Sequence, residues 1–61
     1  MTKEMLEKMI DGLVAQAETF KEIARYLPST ADKEQERLYA AAEANEKQAL
    51  ALRKQMEKTE D

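Results

Sequence analysis

A single proline governs what this chain can become. Pro28 is the only proline and Gly12 the only glycine among 61 residues, so helix breakers are almost absent and one of them falls near the middle. Proline disfavours helical geometry in the residue before it, so a helix arriving from the N-terminal side must stop near Leu27. The expected order is a first helix over about residues 2–27, a turn at 28–30 and a second helix over about 31–58, within one domain spanning 1–61. Thr2 is placed to cap the first helix, with Glu4 in its first turn where a negative charge suits the dipole. Ser29 or Thr30 is expected to cap the second; Ser29 with Asp32 resembles a capping box with Asp in place of Glu. From Thr30 to the tail Lys58-Thr59-Glu60-Asp61, which is expected to fray, strong helix formers dominate. Gly12 is the one soft spot, costing about 1 kcal/mol relative to Ala in a helix interior. No segment alternates with the period of a strand.

Apolar spacing predicts how the helices meet. Leu6, Ile10, Leu13, Ala17, Phe20, Ala24 and Leu27 follow steps of four and three, an unbroken heptad seam. Ala31, Gln35, Leu38, Ala42, Asn45, Ala49, Leu52 and Met56 keep the same rhythm with two polar interruptions. Folding the chain at Pro28 brings the seams into register: Ala24 faces Gln35, Ala17 faces Ala42 and Ile10 faces Ala49. The alternate layers pair Phe20 with Leu38, Leu13 with Asn45 and Leu6 with Leu52. The fold class is therefore all-α, a two-helix antiparallel hairpin of coiled-coil type. Its alanines predict a close approach of the backbones. Gln35, near the loop, is expected to face solvent. Asn45 either sets register from within the seam or faces solvent at its edge.

Ordering a chain costs about 1.5 kcal/mol per residue, and a two-helix seam scarcely offsets that. Further apolar surface is expected to be buried against a partner. One flank carries Met5, Met9, Gly12, Ile23 and Tyr26 on the first helix and Ala41, Ala44 and Ala51 on the second. Val14, Tyr39 and Leu50 lie toward the other. An apolar arc wider than one seam implies more than one neighbour, and two hairpins forming a four-helix bundle is the natural arrangement. Met5, Met9 and Met56 gather near the open end, either as an adaptable docking surface or as irregular core filling.

The residue inventory excludes most chemistry. There is no Cys and no His, which removes disulfides, thiolate nucleophiles, the usual general base and the commonest metal ligand. Glu18 with Glu22 and Glu43 with Glu46 each share a helix face, but bundle metal sites of this kind also need His. With Lys21, Arg25 and Lys47 close by, these carboxylates read as surface ion pairs. No phosphate loop or calcium loop is present. The chain is expected to be no enzyme, to take no cofactor and to bind no metal. Charged residues make up 38% of it, yet the net charge is only -3, so neither an anionic membrane nor nucleic acid is singled out as a partner. With no membrane-length apolar run and no signal-peptide core, a cytoplasmic location is expected.

Lys21 with Arg25, Lys33 with Arg37, and Arg53, Lys54 and Lys58 form small basic groups, each diluted by acidic neighbours. In organisation the chain resembles the Rop-like RNA-binding hairpins, which imply a dimeric four-helix bundle reading RNA; the likeness is architectural and transfers no binding residue. It is similar in size and plan to the small helical chaperones of bacterial secretion subunits. Two functions follow: a homo-oligomeric or partner-gripping helical adaptor, chaperone or inhibitor, or a nucleic-acid-binding bundle that reads shape. Net acidity favours the first.

Overall fold

The computed structural model describes residues 2–59. Two helices, α1 (Lys3–Tyr26) and α2 (Asp32–Glu57), pack antiparallel along a body 49 × 14 × 11 Å in extent. The helical hairpin read from the seams is thus present, with each helix one residue shorter at either end than expected.

Each end has a local cause. The Thr2 side chain accepts a hydrogen bond from the Met5 amide at 3.2 Å and its carbonyl accepts from the Leu6 amide at 3.1 Å, which makes Thr2 the cap. Leu27 is forced by Pro28 into extended geometry (φ -72, ψ 147), and its amide donates back to the Ala24 carbonyl at 3.3 Å. The Ala31 amide donates to the Pro28 carbonyl at 2.9 Å and closes the turn.

That turn corrects the expected cap of α2. Ala31, not Ser29 or Thr30, occupies the capping position, and no side chain caps there. The hydrogen-bonded turn from Pro28 to Ala31 holds Ser29 and Thr30 too early to reach the first amides of α2. Asp32 and Glu34 in the first turn supply negative charge instead. At the far end, Lys58 and Thr59 are tied back rather than frayed. Their amides donate to the carbonyls of Gln55 and Met56, and the Thr59 hydroxyl donates to the Gln55 carbonyl at 2.9 Å. The expected fraying at Glu60 and Asp61 lies outside the described residues.

The core lies along the seams. Leu6, Ile10, Ala17, Ala24, Ala42 and Ala49 are buried, and every other seam position from Leu13 to Met56 is half-buried. The facing helix covers Leu6, Ile10 and the four seam alanines, but leaves the outer part of Leu13, Phe20, Leu38 and Leu52 uncovered. The layers of Ala17 with Ala42 and Ile10 with Ala49 are therefore closed, while those of Phe20 with Leu38 and Leu13 with Asn45 stay open on one side.

Candidate protein interface

Two cross-helix bonds define the flanks of the seam. On one side the Lys21 ammonium donates to Glu46 Oε2 at 2.9 Å, joining the helices by an ion pair. On the other, Asn45 Nδ2 donates to Gln16 Oε1 at 2.8 Å. Asn45 is half-buried, so it neither points freely into water nor sits within a closed core. Gln35 departs from expectation more sharply. It is part-buried, and its Nε2 donates to the Ala24 carbonyl at 3.0 Å and the Leu27 carbonyl at 3.4 Å. The carbonyls at the end of a helix lack their i+4 amide donors. A seam glutamine opposite Ala24 adds a donor to that carbonyl beside the long bond from Leu27 and reaches the Leu27 carbonyl as well. The missed signal was a polar seam residue facing a helix cut short by proline.

The Gln16 flank collects the candidate interface residues. On α1 the positions Met5, Met9, Gly12, Gln16, Thr19, Ile23 and Tyr26 again step by four and three, a second stripe parallel to the seam and free of charge. Met5, Met9, Ile23 and Tyr26 are 53%, 40%, 46% and 82% exposed. Gly12 is exposed within the helix, and a Cβ placed on it would meet no atom within 4 Å. On α2 the matching stripe passes through half-buried Ala41 and exposed Ala44 and Ala51. This stripe borders the open side of the Leu13 and Phe20 layers, one position round the helix, so the half-covered leucines and phenylalanine extend the same apolar surface.

The opposite flank is different. Val14 is half-buried, and Tyr39 and Leu50 are exposed. A shallow depression there is lined by Val14, Glu18, Glu46, Ala49, Leu50 and Arg53. Charge interrupts its apolar surface at every turn. The Lys21–Glu46 pair crosses it, and the ammonium is held charged above its ordinary range by the hydrogen bond to Glu46 and then by the charge of that carboxylate.

The carboxylates behave as surface groups. Glu43 pairs with Lys47 at 3.3 Å and Glu4 with Lys8 at 3.7 Å, each one helical turn apart. Among the described residues no group of three carboxylates converges to hold a metal ion. Lys33 and Arg37 line a second depression together with Glu36, so the signs remain mixed there. No helix is long and apolar enough to cross a membrane. Comparison with known proteins finds no matching family model, no matching curated protein and no matching solved structure.

Proposed function

We propose that this hairpin is a non-catalytic helical interaction module that associates through the Met5, Met9, Ile23 and Tyr26 flank, as a homo-oligomeric adaptor, chaperone or inhibitor-like protein. The observation that carries this reading is the second heptad stripe on α1, apolar at both ends and free of charge along its whole length. A helix with only one neighbour has no use for two such stripes, whereas a helix in a bundle has a neighbour on each. The half-covered Leu13, Phe20, Leu38 and Leu52 support it further, since they border the same flank and gain cover from the same neighbour. Helix-in-groove recognition uses anchors at this spacing.

The test is sedimentation of the wild-type chain beside a Met9→Glu, Ile23→Lys double variant. Loss of association with retained helix supports the interface; an unaltered oligomer removes it. Adding salt separates this reading from nucleic-acid binding. Counterion release makes the latter fall steeply with salt, whereas apolar association responds little.

A further inference from the structure

The interaction flank is two helices wide, and its α1 stripe is symmetric about its middle. Along α1 the large apolar residues stand at the ends, Met5 and Met9 at one and Ile23 and Tyr26 at the other, with Gly12, Gln16 and Thr19 between them. Along α2 the middle is Ala41 and Ala44, and the charged Glu34 and Arg37 come near the turn. We propose that the occupant of this flank is a second copy of the chain turned end for end. In that arrangement α1 lies antiparallel on the α1 of the second copy and α2 on its α2, with the turns at opposite ends of a four-helix bundle. This rests on the interaction-module reading and specifies its partner.

The surface area leaves room for such an occupant. The hairpin exposes 4823 Å² at a mass of 7.0 kDa, about 800 Å² more than size scaling gives for a compact monomer of that mass. One partner's share of a standard protein interface is also about 800 Å².

The arrangement follows from which residues meet. Turning α1 end for end about Gln16 lays Met5 on Tyr26 of the second copy and Met9 on its Ile23. Gly12 then lies on its Thr19. Turning α2 about the point between Ala41 and Ala44 lays each alanine on the other's counterpart. The two centres lie at one height in the hairpin, because the seam pairs Ala17 with Ala42 and the Gln16–Asn45 bond joins the helices close by. A single two-fold axis therefore serves both helices, as a closed dimer requires. Turning the second copy about the long axis instead would lay α1 on α2, placing the large apolar Ile23 on Arg37 and Tyr26 on Glu34. The end-for-end turn sets those charges against the polar Gln48 and the small Ala51 and leaves the apolar ends of α1 to each other. Gly12 gains a reason here: no atom of its own hairpin needs the space beside it, whereas a closely crossing second α1 does. The two Gln16–Asn45 pairs meet at the centre of the contact, where polar residues fix register.

The chain has no cysteine, so Ser29→Cys provides one labelling site, at the exposed turn. Spin labels there are read by pulsed dipolar spectroscopy, with the mass measured by sedimentation in the same sample. At 1.5 Å per residue from the two-fold axis, the end-for-end dimer places the two turns about 40 Å apart. A dimer with a distance near that value supports the proposal. A dimer with the turns within about two helix diameters, roughly 20 Å, overturns the arrangement and leaves the interaction reading intact. A mass of one chain at all concentrations rules out the second copy as occupant and returns the flank to a different protein.

Discussion

Gln35 reaches from the first turn of α2 to the Ala24 carbonyl at 3.0 Å, so one side chain ties the end of one helix to the start of the other. It also donates to Leu27, whose carbonyl directly precedes Pro28. The turn is therefore held from inside the hairpin as well as by its own backbone bond. Replacing Gln35 with Leu keeps the apolar seam but removes the donor. The expected cost is about 1 kcal/mol, which lowers the thermal midpoint of a chain this size by roughly 4–8 °C. Gln35→Glu costs more, because it turns a carboxylate toward two carbonyls. Thermal melts followed by circular dichroism measure both; a Gln35→Glu variant as stable as wild type would show that these bonds hold nothing.

Ala17 and Ala42 occupy the closed layer of the seam, both buried. Ala17→Glu or Ala42→Glu places a charge where neither water nor a partner reaches it, at a cost of several kcal/mol, comparable with the whole stability of a small domain. Each variant is expected to lose its helical circular-dichroism signal at room temperature. A melt unchanged by either substitution would mean that the seam is misassigned.

The Lys21–Glu46 pair makes a stability contribution with a defined pH window. The pKa of Lys21 is raised above 10.5, first by its hydrogen bond to Glu46, then by the charge of Glu46, with Glu18 adding and Arg25 opposing. A group whose pKa is higher in the folded state stabilises the fold fully below its unfolded value and loses that contribution as pH rises through the folded one. The gap in thermal midpoint between wild type and Lys21→Met should therefore hold steady from neutral pH to about pH 10, then close in more alkaline buffer. Both partners are partly exposed, so the gap is small and narrows with salt. A gap that persists after the lysine discharges would assign the effect to packing of its methylenes.

Much of the hairpin was legible because its register depends only on period. Steps of four and three on both sides of Pro28 place every seam residue, and each one from Leu6 to Met56 is buried or half-buried. The pairing of Ala24 with Gln35 is the one the hydrogen bond makes. What escaped the sequence was local chemistry that turns on a single residue of placement. Ser29 and Thr30 have the right side chains for a cap, but the turn sets them too early. Periodicity predicts Gln35 as a solvated interruption because it says nothing about helix-end carbonyls with room for another donor. The apolar flank was legible as composition. Its order as a second stripe, Met5 to Tyr26, emerges once the Lys21–Glu46 and Gln16–Asn45 bonds separate the two sides.

Association through that stripe is tested most directly by sedimentation equilibrium of the purified chain over a wide concentration range, with the Met9→Glu, Ile23→Lys variant run alongside. The wild type should approach twice its 7.0 kDa mass as concentration rises, and the variant should remain at the single-chain value. A wild-type mass fixed at one chain, or a variant that associates equally well, would contradict the account.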